Sequence, residues 1–220
     1  MVQFRFRVLI VFFFCSCHIF SQKTVIKKFA TAQNKIVIYT EGLDDFILEN
    51  SNFNLVEVSL ASENIDKQDI LVGTKTYETS IHFKIPIPIE KEIIFRKFIT
   101  ERLQRATAKI KVPKNKEVTI LGENINVSSK SYAGNLRVFI ENGIVKLDTI
   151  QQNLELKLYT GTVFGCYRDA NVKIASKKGN LKIDTVLHSK KYSKLQTKST
   201  KEISITSVLA NIYLSTHKTQ

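Results

Sequence analysis

The chain has 220 residues, 43% of them hydrophobic, and a formal net charge of +13 from 33 lysines and arginines against 20 acids. That length builds one domain with a sizeable core, or an elongated one. Three cysteines exclude a disulfide-stapled scaffold, and isolated glycines exclude a phosphate-cradling or dinucleotide-binding loop.

The first 21 residues read as a secretory signal peptide. Arg5 and Arg7 precede an apolar run over residues 8–14, and small Ser21 stands before Gln22. The run is too short for a membrane-spanning helix. The expectation is export to the periplasm, the outer-membrane surface or the medium, with no transmembrane span in the mature chain. Cys17 after Ser16 is a minor alternative as a lipoprotein anchor, although Phe14 and Cys15 suit that motif poorly. Cleavage after Ser21 removes Cys15 and Cys17, leaves Cys166 alone and lowers the charge to +11.

Residues 22–117 offer irregularly spaced alternating segments. The inward positions expected are Ile36 and Ile38, Phe46 and Leu48, Val56 and Val58, and Ile81, Phe83 and Ile85. Pro86 and Pro88 end the last of these strands, since each removes a ladder donor. Residues 90–108 change period. Ile94, Phe95, Phe98, Ile99, Leu103 and Ala106 recur at helical spacing, with Arg96, Lys97, Arg102 and Arg105 around them. The reading is one basic amphipathic helix, covering the core or meeting a membrane surface. Residues 109–113 return to strand.

From residue 118 onward the chain repeats every 18 residues. Val118, Leu136, Leu154 and Val172 form one series, and Val127, Val145, Val163 and Leu181 a second. Each is followed two residues later by apolar positions such as Ile120, Val138, Leu156 and Ile174, the alternation of a strand with one face buried. Asn135, Asn153 and Asn171 precede the first-series strands, while Gly143, Gly161 and Gly179 precede the second. Both residue types suit corners. The pattern slips near the end, with Ile203 and Ile205 continuing the second series after an enlarged basic turn at residues 188–194 and Asn211 restarting the first.

Two strands and two corners per 18 residues predict an all-β fold, a single-stranded parallel β-solenoid with about 18 residues per coil and an asparagine ladder at one corner. A left-handed hexapeptide helix is excluded because Asn142 and Asp148 stand where aliphatic residues are required, and a calcium-binding roll lacks its glycine–aspartate motif. The rival is an antiparallel meander turning at Asn142-Gly143. The equivalent Thr160-Gly161 and Lys178-Gly179 favour a repeated corner instead. Residues 22–220 read as one solenoid domain, with irregular coils and the helical insertion over 22–117 and regular coils over 118–216.

The exported start, the segment Ala108-Lys109-Ile110-Lys111-Val112-Pro113-Lys114-Asn115-Lys116 and coils of the type Gly134-Asn135-Leu136 and Gly179-Asn180-Leu181 resemble the putative-adhesin families of unknown function found in Gram-negative cell envelopes. What the resemblance implies is an exported β-solenoid with an adhesin-like label and no catalytic residues to transfer.

Chemistry is sparse. Asp148, Cys166 and Asp184 stand 18 apart on one face, which raises a polysaccharide-cleaving pair two coils apart. Each aspartate sits in a Lys-x-Asp-Thr turn, so a bonded turn role is preferred. His82, His188 and His217 are scattered, and Cys166 has no histidine near it in sequence, so no catalytic, metal or cofactor residues are assigned. The function expected is a non-enzymatic adhesin-like or structural envelope protein. The alternatives are a carbohydrate-active β-helix enzyme, or a basic module for anionic glycan or lipid surfaces. Its contacts would be Arg96, Lys97, Arg102, Arg105, Lys190, Lys191 and Lys194. No cofactor and no nucleic-acid partner are expected.

Overall fold

The computed structural model describes residues 24–62, 68–85, 106–197 and 199–216. They form seventeen strands: β1 (Thr24–Phe29), β2 (Lys35–Tyr39), β3 (Asp45–Ser51), β4 (Val56–Ala61), β5 (Asp69–Thr74), β6 (Glu78–Lys84), β7 (Thr107–Pro113), β8 (Glu117–Asn124), β9 (Asn126–Ser129), β10 (Leu136–Ile150), β11 (Leu154–Tyr167), β12 (Asn171–Ser176), β13 (Leu181–Ile183), β14 (Val186–His188), β15 (Lys191–Lys194), β16 (Glu202–Ser207) and β17 (Asn211–Thr216). All belong to one bonded network with two walls. β10 and β11 run unbroken round a corner and contribute to both walls, so the hairpin rival at Asn142-Gly143 is not formed.

The period-18 register is realised. Leu136 pairs in parallel with Val118 on one side and Leu154 on the other, and Val145 with Val127 and Val163. The irregular half joins the same stack, since β2 lies parallel to β8 and β3 to β9. Alternate residues point inward, and Ile36, Ile38, Phe46, Leu48, Val118, Ile120, Val138, Val145 and Val163 are all fully buried in one cluster. Each such side chain contributes about 1.5–3 kcal/mol. The outward lysines Lys146, Lys157, Lys173 and Lys182 are exposed.

The corner glycines have a steric reason. Gly143 has φ 148° and Gly161 φ 126°, and a Cβ on either would collide with the carbonyl oxygen of the layer beneath, Ile125 or Gly143. Amides bond along the stack at this same corner. Asn142 Nδ2 donates to Asn124 Oδ1 at 3.3 Å, and the Ile144 and Asn180 amides donate to Asn126 and Asn211 side chains. The asparagine ladder expected at the other corner is broken, because Glu202 lies between Asn153 and Asn171 in the stack and its amide donates to Asn153 Oδ1 at 2.9 Å.

That interruption reflects a larger difference from the expected fold. β16 lies between β11 and β12, with Ile203 paired to both Leu154 and Val172, and β17 lies between β11 and β13, with Ile212 paired to Val163 and Leu181. Ile203 therefore continues the first series and Ile212 the second, the reverse of the phase read from spacing. Any coil with the right inward row fits between any two others, so spacing alone does not order the layers. The other end shows the same device. The β2–β3 coil lies between the coil of β6 and β7 and the coil of β8 and β9.

Antiparallel strands then close both ends: β4 on β7, β1 on β4 and β5 on β6 at one end, β15 on β12 and β14 on β13 at the other. Among the described residues eleven strand pairings are parallel and five antiparallel, so the fold is all-β with a mixed sheet rather than parallel throughout. The described residues include no helix. Thr107 and Ala108, read as the end of the helix, instead pair with Asp45 and Phe46 at the start of β7, where ladder bonds outweigh the local helical spacing. Residues 90–105, with Arg96, Lys97, Arg102 and Arg105, and residues 1–21, read as a signal peptide, lie outside the described residues.

Candidate binding surface

The aspartates raised as a catalytic pair are separate and occupied. Asp148 sits three layers from Asp184, with Cys166 and Ser215 between them, because β17 intervenes. Asp148 pairs with Lys130 at 3.6 Å. Asp184, at φ 54°, accepts from the Thr216 amide at 2.7 Å and from its hydroxyl, which is the work of a turn. Cys166 accepts from Ser215 Oγ at 3.3 Å. Among the described residues no group of three or more His, Cys, Asp or Glu side chains could hold a metal ion.

Two tyrosines are buried, Tyr132 with its hydroxyl bonded and Tyr167 with its hydroxyl lacking a hydrogen-bond partner among the described residues. Burial pushes the Tyr132 phenol far above its ordinary range, and its hydroxyl donates to the Pro113 and Lys116 carbonyl oxygens. Burial likewise raises Tyr167, with Tyr192 and Asp184 adding to it. Both stay neutral at any physiological pH and serve packing.

Charge is distributed unequally along the stack. On β1, β4 and β7 the residues Lys28, Glu57 and Lys111 stand directly opposite one another, and both ammonium groups lie 2.8 Å from the Glu57 carboxylate. The hydrogen bond from Lys111, and then that from Lys28, holds this carboxyl down at about 2. The carboxylate in turn raises Lys111. Lys35 pairs with Glu78 and Lys109 with Glu49 at this end, while Lys27, Lys75, Lys84 and Lys114 are exposed and form no ion pair among the described residues.

At the opposite end the lysines have no such partners. Lys190, Lys191 and Lys194, expected as anionic-surface contacts, are exposed on and beside β15. Lys173, Lys177, Lys178 and Lys182 are exposed at the same end of the stack, and none of the seven forms an ion pair among the described residues. Their register neighbours are uncharged: Ala175 beside Lys191, Ser193 beside Lys173, Leu187 beside Lys182. Of the acids at this end, Asp184 is engaged with Thr216 and Asp169 with Gln196, while Glu202 on β16 is exposed beside Asn171 of β12 and forms no ion pair among the described residues. Lys201 is drawn inward, its ammonium on the Ile150 carbonyl oxygen and its affinity for a proton lowered by burial.

Sequence reading missed one feature beside this end. Phe164 on β11 and Tyr213 on β17 stack with ring centroids 5.4 Å apart and planes 19° from parallel. The signal was partly present, since Phe164 stands 18 residues from both Lys146 and Lys182. Tyr213 enters the row only through the displaced C-terminal coil.

No protein-family model and no curated protein matches the chain. Among solved structures it is similar to a putative cell adhesion protein from Clostridium sporogenes, with TM-score 0.60 and 16% identity over 90% of this chain and 100% of that one. A putative adhesin from Bacteroides fragilis aligns over 90% of this chain and 98% of its own, at 13% identity and TM-score 0.33. The Clostridium likeness is one of fold, and it agrees with the putative-adhesin resemblance carried by the repeat. No helix among the described residues is long and apolar enough to cross a membrane.

Proposed function

We propose that this chain is an exported, non-enzymatic, adhesin-like protein of the cell envelope, a β-solenoid with capped ends that contacts anionic surfaces through its basic end. One observation carries the reading: seven exposed lysines share one end of the stack without an ion pair among the described residues, while at the other end Lys28, Lys35, Lys109 and Lys111 are paired with glutamates. Unpaired ammonium groups in a dense field repel one another and are offset by an anionic partner. The central parallel layers and the antiparallel strands at each end support the solenoid description. The signal-like segment at residues 1–21 supports export, and the name of the Clostridium structure supports adhesion. The polysaccharide-cleaving alternative loses its main support, because Asp148 and Asp184 are three layers apart and bonded elsewhere.

The test is cellular. A tagged full chain should fractionate with the envelope, and cells producing it should attach to mucin-coated glass more than cells that do not, with attachment falling as salt is raised. A cytoplasmic tag, or attachment unchanged by the protein, would overturn the reading.

A further inference from the structure

The outer face of the second wall carries a straight row across four adjacent layers: Lys146 on β10, Phe164 on β11, Tyr213 on β17 and Lys182 on β13, each in direct register with the next. The two aromatic rings occupy the middle layers and the two ammonium groups the outer ones. Layers pair about 4.8 Å apart, so the lysines lie about 14 Å from each other along the stack axis. Phe164 is 43% exposed, a large apolar area to leave in water on an otherwise polar strand face. Neither lysine forms an ion pair or a hydrogen bond among the described residues. Two residues before each member runs a second row, Ile144, Thr162, Asn211 and Asn180, which sets a hydroxyl and two amides alongside the rings.

We propose that this row is a binding site for an extended acidic polysaccharide. The argument rests on the adhesin-like reading above and assigns its contact chemistry to named residues. A sugar ring is amphipathic, with C–H groups that pack on aromatic surface and hydroxyls that need hydrogen-bond partners. A uronate adds a carboxylate that pairs with ammonium. Here apolar surface lies at the centre, polar side chains beside it and cations at both ends. Stacking holds each ring against the other, so little side-chain freedom remains to be lost on binding. Single-stranded nucleic acid, the other extended polyanion, is separated from acidic polysaccharide by the oligothymidylate outcome of the test below.

Affinity electrophoresis of the signal-cleaved chain tests this, in gels containing polygalacturonate, neutral dextran or no polymer. The protein should be retarded by polygalacturonate and not by dextran. Phe164→Ala/Tyr213→Ala and Lys146→Gln/Lys182→Gln should each weaken retardation about tenfold or more, as loss of a stacked pair or of two charge-assisted contacts entails. Lys84→Gln/Lys114→Gln makes the same charge change at exposed positions away from the row and should leave retardation within about twofold. An equal loss in that control would reduce the effect to net charge and overturn the site. So would an oligothymidylate that binds the protein and is released by the same row variants. Should the aromatic variant fail to fold, the surface lysine variant decides. Absence of any retardation overturns the site, whereas the adhesion reading stands or falls separately on the attachment of cells to mucin.

Discussion

At the end of the stack built from β1, β4 and β7, Lys28 and Lys111 stand opposite Glu57; at the end built from β12 to β15, Lys173, Lys191 and Lys182 stand opposite serine, alanine and leucine. Both ends use the same construction, with one coil held between two others and antiparallel strands closing the outermost layer. Cross-strand ion pairing is therefore not something this architecture demands of its ends. Ion pairs hold four lysines at one end and none of the seven at the other among the described residues, which separates charges the scaffold uses from charges it leaves for other molecules.

The sharpest way to break the comparison is to weaken each enclosed coil. Ile38 on β2 and Ile205 on β16 are fully buried at matching depth, so Ile38→Ala and Ile205→Ala should each cost about 2–5 kcal/mol. Urea denaturation followed by circular dichroism measures both. A cost at one end several times that at the other would show that the two coils are not equivalent in packing.

The second effect separates the ends by pH. Glu57 is held at about 2, below its ordinary 4.5, so the folded carboxyl binds its proton less readily than the unfolded one. Its stabilising contribution is complete above pH 4.5 and declines as pH falls toward 2. Melting temperatures across that window should fall less steeply for Glu57→Gln than for the unaltered chain. Parallel curves would mean that Lys28 and Lys111 do not hold the charge.

The smallest expected effect belongs to the unpaired end. Lys190→Gln, Lys191→Gln and Lys194→Gln remove exposed charges that contribute no ion pair among the described residues, and each should change stability by no more than about 0.5 kcal/mol. Joined in one chain, they should reduce attachment to acidic surfaces while the melting temperature holds or rises slightly. A marked loss of stability would show these lysines to be structural.

Much of this was legible in sequence because packing at the corners restricts residue choice. Glycine recurs at 143 and 161 where a side chain would strike the neighbouring backbone, and that regularity reveals the register of β8 to β11 directly. The position of β16 and β17 was not legible. Ile203 and Ile205 present the same inward alternation as every other coil, and the energy of burying them differs little from one slot to the next. Asp184 read correctly as a turn residue because its chemistry is local. The Phe164–Tyr213 pair did not, since its partners are 49 residues apart and meet only through the displaced coil.

The enclosed coil of β16 and β17 also bears on how the chain matures. Residues 202–216 emerge from the ribosome after both layers that flank them, so the slot must stay open, or reopen, until they arrive. A stack assembled only by successive addition would tolerate interruption after any turn. Here β11 and β12 reach their final places only with the late segment between them, which couples completion of the wall to completion of this stretch of chain. A copy released before residue 202 would carry a gap flanked by unpaired strand edges, a feature that chaperones and proteases can recognise.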